Sequence, residues 1–124
     1  MKNGSIVKSF LSALNEADYD GIMKLFAENA SVSAPHYGEM TATRFAEALN
    51  GDTNLSNTTL LNVFENESGN TLAGHFEFEW ELTNGENTKF ECVGIFEIDG
   101  HKKVTALSII FDTAKIPLDK IKVL

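Results

Sequence analysis

The chain has 124 residues, 43% of them hydrophobic and 23% charged, a composition typical of one soluble globular domain and not of a disordered chain. Its formal net charge of −8 disfavours nucleic acid and anionic membranes as partners, because their phosphate groups would be repelled. With no apolar run near the roughly 20 residues that span a bilayer, no signal-peptide core and a single cysteine, the chain is expected to be cytoplasmic.

The first fifty residues carry the helical period. Ser5 is a suitable N-cap, and the apolar residues after it recur every three or four positions, which predicts a helix over about residues 5–16. Asp18 can cap a second helix, predicted over about residues 18–28, with acidic Asp20 in its positive first turn.

A short strand and a third helix follow. Residues 30–34 alternate small apolar side chains with serine, and Pro35 ends this pattern, which predicts a strand over about residues 30–34. The third helix is predicted over about residues 41–50, with Gly51 as the residue that ends it.

From about residue 55 onward the hydrophobic period falls to two. Asn84-Gly85 and Asp99-Gly100 are dipeptides favoured in tight hairpins, and Ser68-Gly69-Asn70 marks a third turn. These signals predict four consecutive antiparallel strands, at about residues 57–66, 71–82, 88–98 and 103–113, followed by an apolar tail at 114–124.

The segment HFEFEWEL, residues 75–82, predicts which side of the sheet is buried. Phe76, Phe78 and Trp80 point one way, and the histidine and glutamates between them point the other way. Helices first and a meander of strands afterwards indicate a single α+β domain, in which three N-terminal helices cover one aromatic sheet face.

Two segments resemble a known superfamily. Residues 13–35, ALNEADYDGIMKLFAENASVSAP, resemble the opening of the ketosteroid isomerases and SnoaL-like polyketide cyclases, of the nuclear-transport-factor-2-like superfamily. Residues 98–112, IDGHKKVTALSIIFD, resemble their closing hairpin. The resemblance implies one SnoaL-like domain over residues 1–124, with a cone-shaped, curved antiparallel sheet wrapped around the helices, a cystatin-like α+β barrel. It implies no single activity, because this scaffold hosts isomerases, cyclases, dehydratases and hydrolases.

The resemblance also implies that the isomerase groups are absent. That chemistry needs a carboxylate base, with a tyrosine and a protonated aspartic acid that hold an oxyanion. In the aligned positions the base is replaced by Ala34 and the tyrosine by Phe10, and the protonated acid falls on or beside Gly94. Since alanine has no proton to exchange, the chain is not expected to be a ketosteroid isomerase of that mechanism.

His36 and Tyr37 are the candidate catalytic residues. A neutral imidazole two residues beyond the vacated base position could shuttle protons, and the phenol could donate a hydrogen bond to a carbonyl or oxyanion. The alternative is that both residues are structural residues at the rim of the cone, since no carboxylate is evidently placed to orient the histidine. Asp52 is expected in a polar loop of unknown position.

The inward-facing apolar residues are either a self-filled core or the lining of a pocket. Ala34, Gly74 and Gly94 are small, so they leave volume that neighbours fill or a ligand occupies. A cavity of several hundred Å³ would favour a small, mostly apolar ligand, and a filled cone would favour an interaction module. The three histidines lack metal-ligand spacing and no phosphate-binding glycine loop occurs, so no metal or other cofactor is expected. The predicted ligand-binding residues are Phe10, Leu14, Phe26, Ala34, His36, Tyr37, Phe76, Phe78, Trp80, Cys92, Phe96, Leu107, Ile109 and Phe111.

The outer face of the sheet predicts a homodimer. Glutamates dominate this face around residues 75–82, where like charges would oppose pairing and are expected at the rim. The uncharged outward-facing residues are expected to form a self-complementary patch; they are Val93, Ile95, Ala106, Ser108 and Ile110. The tail at 114–124 is expected to add an edge strand, cover the pocket or pack on a partner.

Three functions remain open from the sequence. The leading one is binding of a small, mostly apolar molecule in the cone pocket, without the ketosteroid isomerase catalytic residues. The second is an isomerase, cyclase or dehydratase that uses His36 as acid and base. The third is a dimeric interaction module whose cone is filled by its own side chains.

Overall fold

Three helices and one six-stranded sheet make up residues 3–115, the part of the chain that the computed structural model describes. The expectations for the tail from residue 116 onward lie outside these residues. No helix within residues 3–115 is long and apolar enough to cross a bilayer. The elements are α1 Gly4–Asn15, α2 Tyr19–Leu25, β1 Phe26–Ala34, β2 Gly38–Thr41, α3 Ala42–Asp52, β3 Thr53–Glu65, β4 Thr71–Leu82, β5 Asn87–Ile98, β6 Val104–Ile110 and a 3-10 turn Thr113–Lys115.

The sheet is curved and open, with the strand order β2-β1-β6-β5-β4-β3. Strands β3 to β6 form the predicted antiparallel meander, and β1 pairs antiparallel with β2. The pairing of β1 with β6 is parallel, so the sheet is not antiparallel throughout. The α+β cone is therefore confirmed, with one parallel pair that joins the first strand to the last.

The boundary between α2 and β1 lies earlier than predicted. The helix ends at Leu25 instead of residue 28, and Phe26 is already extended (φ −94°, ψ 146°) and paired with Val104. Asn29, at φ 62°, lies where the pairing with β6 shifts register. The irregularity breaks the alternation of side chains, so the first half of the strand looked helical in sequence.

The region around α3 also differs from the prediction. The helix runs through Gly51 to Asp52, and β3 begins at once at Thr53, four positions before the predicted start. Strand β2 was not predicted, because four residues are too few to show a period. At the other end β6 stops at Ile110, short of the predicted residue 113.

The core lies between the helices and the concave sheet face, and β4 shows the predicted alternation. Phe76, Phe78 and Trp80 are buried, while the glutamates between them are exposed or half-buried. Gly74 and Gly94 do not leave free volume. A Cβ at Gly74 would lie 2.6 Å from Cγ1 of Val7, and a Cβ at Gly94 would lie 3.0 Å from the Phe96 ring. Neighbouring side chains therefore fill both places.

Gly74→Ala should destabilise the fold by about 1–3 kcal/mol, because Val7 and with it α1 must move off the sheet. Gly100→Ala is the matched control, since nothing lies within 4 Å of a Cβ there. Chemical denaturation of both variants measures the difference. Equal stabilities for the two variants would mean that Val7 does not pack tightly against the sheet at Gly74.

Candidate functional site

The concave face of the sheet and the helices enclose an apolar cavity of about 30 Å³. Pockets for drug-sized ligands have volumes of about 300–1,000 Å³, so in this state the cone is nearly filled by its own side chains. The criterion of several hundred Å³ is not met, so the volume by itself favours the interaction module, and a ligand would bind only if the cavity opened. The cavity is lined by Phe10, Leu14, His36, Phe45, Leu49, Phe76, Phe78, Trp80, Phe90, Cys92, Ile109 and Phe111.

The alternation of side chains located most of the sheet residues that line the cavity, and two residues of α1 were also predicted. Phe45 and Leu49 of α3 were missed, although their i, i+4 spacing marked an apolar helix face that needed a surface to cover. Phe90 was missed, although its side chain lies on the same face of β5 as that of Cys92. The predicted residues that are buried without lining the cavity are Phe26, Ala34, Tyr37, Phe96 and Leu107.

His36 lies in the turn between β1 and β2, and it is buried, not on the rim. The residue is 7% exposed, and its Nδ1 is buried with no hydrogen-bond partner among residues 3–115. Aromatic rings surround it, with centroids at 3.9 Å for Tyr37, 5.2 Å for Phe111 and 5.5 Å for Trp80. Burial lowers the pKa of the imidazole to about 4, so His36 is neutral at pH 7.

Tyr37 is buried beside His36 but does not line the cavity. Its hydroxyl donates a hydrogen bond of 2.8 Å to Oδ2 of Asp52, and burial, followed by the bond and the charge of Asp52, raises its pKa. Asp52 is not in a loop, as the sequence suggested, but is the last residue of α3 and 2% exposed. The hydroxyl of Tyr37 therefore already donates its hydrogen bond to Asp52 and is not directed at the cavity.

His36 is the cavity-lining side chain that keeps a buried nitrogen without a hydrogen-bond partner among the described residues. Trp80 donates its indole N–H to Oγ1 of Thr53 at 2.8 Å. Burial raises the pKa of Cys92 to about 12, so this thiol stays protonated and unreactive at pH 7. No Asp or Glu lines the cavity, and no three potential metal ligands are grouped within the described chain. The surface that faces the cavity is apolar, and behind it His36 keeps one imidazole nitrogen without a hydrogen-bond partner among the described residues.

Three helices over a curved, open sheet, with an apolar hollow between them, define a nuclear-transport-factor-2-like fold. An NTF2-like protein of unknown function from Cytophaga hutchinsonii has a TM-score of 0.73 at 19% identity, covering 92% of this chain and 93% of that chain. The Δ5-3-ketosteroid isomerase from Mycobacterium sp. has a TM-score of 0.76 at 16% identity, covering 90% and 93%. At such identities the likeness shows the fold alone.

A third similar structure is SalBIII, an epoxide hydrolase/cyclase-like enzyme with a role in pyran ring formation in the polyether salinomycin. Its TM-score is 0.80 at 16% identity, covering 92% of this chain and 93% of that chain. No protein of curated function matches the sequence. The profile of the SnoaL-like domain matches residues 7–106, and the chain belongs to this family.

Proposed function

We propose that this SnoaL-like domain binds a small, neutral, mostly apolar molecule in the cone, with His36 as its polar anchor. The observation that carries this proposal is the buried Nδ1 of His36, which has no hydrogen-bond partner among the described residues and belongs to a cavity-lining side chain. A buried polar atom without a partner costs about 1–3 kcal/mol, and phenylalanine or leucine would avoid this cost in a core that only has to be filled.

The wall limits the chemistry of the ligand. No charged side chain lines the cavity, so an ionic ligand would lose its hydration without gaining a counter-charge. A neutral molecule with one hydroxyl group matches the single imidazole, because a hydroxyl can donate to or accept from Nδ1 in either tautomer. The names of two similar structures, a ketosteroid isomerase and an enzyme of pyran ring formation, support a neutral organic ligand.

Binding requires the cavity to open, and Phe111 is the side chain that we expect to move. Its half-buried ring lies beside His36 and has its centroid 4.8 Å from that of Phe90. It follows Ile110, the last residue of β6, so Phe111 lies just outside the strand. Turning this ring outward would add its volume to the cavity at little cost in backbone structure.

Native mass spectrometry of the purified protein tests the proposal. Wild type is expected to retain a small molecule, and His36→Phe, which keeps an aromatic ring but no nitrogen, is expected to lose it. Cyclohexanol and methylcyclohexane provide a matched pair of probes for NMR titration, because a hydroxyl can donate to or accept from either tautomer of the imidazole. The alcohol should bind wild type more tightly than it binds His36→Phe, and the hydrocarbon should not distinguish them. Equal binding of the alcohol to both proteins would refute the anchor.

An isomerase, cyclase or dehydratase that uses His36 as acid and base has less support. Proton transfer by histidine is usually helped by a group that orients the ring, within hydrogen-bond distance of about 2.6–3.2 Å. Among the described residues Nδ1 of the imidazole has no such partner, and the nearby Asp52 accepts its hydrogen bond from Tyr37.

The outer sheet face supports a second proposal, that two copies of the chain pair through it. The predicted patch of Val93, Ile95, Ala106, Ser108 and Ile110 faces outward. Within it Ser108 pairs with Ile95, and the same row of paired residues continues through Ala73 to Phe64 on the edge strand β3. Beside the patch, Glu91 accepts a 2.8 Å hydrogen bond from His75 and Glu77 lies 3.5 Å from the Lys89 amine. The Lys89 amine therefore offsets the charge of Glu77 locally.

Ile110→Glu should turn the dimer into a monomer, because Ile110 is 56% exposed within the patch and a buried glutamate would lack a partner. Leu55→Glu is the control, since Leu55 is equally exposed at 59% but lies beside Glu81, away from the patch. Gel filtration with light scattering measures both. A dimer that survives Ile110→Glu would exclude this patch as the interface.

A further inference from the structure

Asp52 is a buried carboxylate that the proposed function does not use. Its Oδ2 accepts the 2.8 Å hydrogen bond from Tyr37, and its backbone oxygen accepts one of 3.0 Å from the N–H of Thr83. The side chain thus ties the β1–β2 turn to α3, while the backbone ties α3 to the β4–β5 hairpin. The turn that Asp52 holds is the one that carries His36.

The position of Asp52 is unfavourable for α3 itself. The last turn of a helix carries a partial negative charge, so an acidic side chain there destabilises the helix, and burial of the carboxylate adds a desolvation cost. Residues that break local rules in this way are commonly kept for a role in a site. The hydrogen bond to Tyr37 connects this side chain to the turn that carries His36.

Tyr37 contacts both Asp52 and His36, and so connects them. The two rings are adjacent, with centroids 3.9 Å apart and planes inclined by 34°. Because Nδ1 of His36 has no hydrogen-bond partner in residues 3–115, ring contacts and the turn backbone set the orientation of the imidazole. A hydrogen bond that fixes Tyr37 therefore fixes one of the surfaces against which the imidazole rests.

We propose that Asp52 is the positioning residue of the site: through Tyr37 it holds His36 buried at the cavity wall. The inference rests on the proposed role of His36 as the ligand anchor. It assigns no catalytic part to Asp52, which does not line the cavity.

NMR of the full chain labelled with ¹⁵N-histidine tests this inference without any ligand. His75 and His101 give internal reference signals in the same spectra. Asp52→Ala should move the titration midpoint of His36 upward by about one unit or more, toward the ordinary value near 6.5, because the released turn admits water. Asp52→Asn keeps an acceptor for the Tyr37 hydroxyl and should restore the wild-type midpoint. Glu47→Ala removes an exposed carboxylate from the same helix and should leave His36 unchanged.

An unchanged His36 midpoint and unchanged ring shifts in folded Asp52→Ala would overturn the proposal, and so would Asp52→Asn behaving as Asp52→Ala. If Asp52→Ala does not fold, Tyr37→Phe breaks the same hydrogen bond from the other side and should produce the same upward movement. No movement in that variant would again overturn it. Failure of cyclohexanol to distinguish wild type from His36→Phe would remove the ligand anchor but leave this measurement intact, so the two failures are separable.

Discussion

Replacing Trp80 with alanine should lower the free energy of unfolding by about 3–5 kcal/mol, because the neighbouring side chains can fill only part of the space that the ring leaves. Trp80 is fully buried at 0% exposure, and its ring stacks against Phe78 with centroids 5.7 Å apart. The substitution also leaves Oγ1 of Thr53 without its 2.8 Å indole donor. Because domains of this size have total stabilities of about 5–15 kcal/mol, the variant would lose a large share of its stability.

Urea denaturation of wild type and Trp80→Ala at pH 7 measures this loss. Leu55→Ala serves as the control, because its side chain is mostly in solvent and its loss should change stability by no more than about 0.5 kcal/mol. If the two variants unfold at the same urea concentration, the sheet face that carries Trp80 is not the core of the fold.

Acidification from pH 7 to pH 4 should cost the folded protein about 3 kcal/mol through His36 alone, since burial lowers its pKa from 6.5 to about 4. Between these values the unfolded chain binds a proton at residue 36 and the folded chain does not. Stability therefore falls as the pH falls through this window, and the residue has no effect on the pH dependence above or below it. Carboxylates add their own acid sensitivity, so the informative quantity is a difference between two proteins.

His36→Phe supplies that difference, because it retains the ring contacts and removes the titrating group. With no ligand bound to either protein, the variant should be more stable than wild type at pH 7 by about 1 kcal/mol, since no buried nitrogen is left without a partner. Its advantage should grow to about 4 kcal/mol near pH 4. Parallel stability curves for the two proteins between pH 7 and pH 4 would mean that His36 is accessible to water in the folded state.

The sequence was most informative where one physical pattern acted alone. The bounds of β4 agree with the prediction because its alternation is regular, with one buried face and one wet face. Strand β1 was truncated in the prediction because its irregularity near Asn29 removes that alternation, and the pairing of Phe26 with Val104 depends on a strand far along the chain. Local pattern carries no information about such pairing.

The candidate site divides in the same way. The parity of the strands located Phe76, Phe78, Cys92 and Ile109, because the side of a sheet can be read from the side-chain period. The hydrogen bond between Tyr37 and Asp52 could not be predicted from the sequence, since it depends on how the end of α3 meets the β1–β2 turn in three dimensions. The small cavity volume could not be predicted from the sequence either, because Val7 and Phe96 fill the places that glycines leave open.

The parallel pairing of β1 with β6 sets the order in which the protein can be completed during synthesis. Strand β1 is made early, yet its neighbour β6 leaves the ribosome only after the whole meander before it. Until then β1 and β2 have no sheet to join, and the long loop must close before they gain contacts. The nascent chain must therefore wait for β6 before the turn that carries His36 acquires its final place.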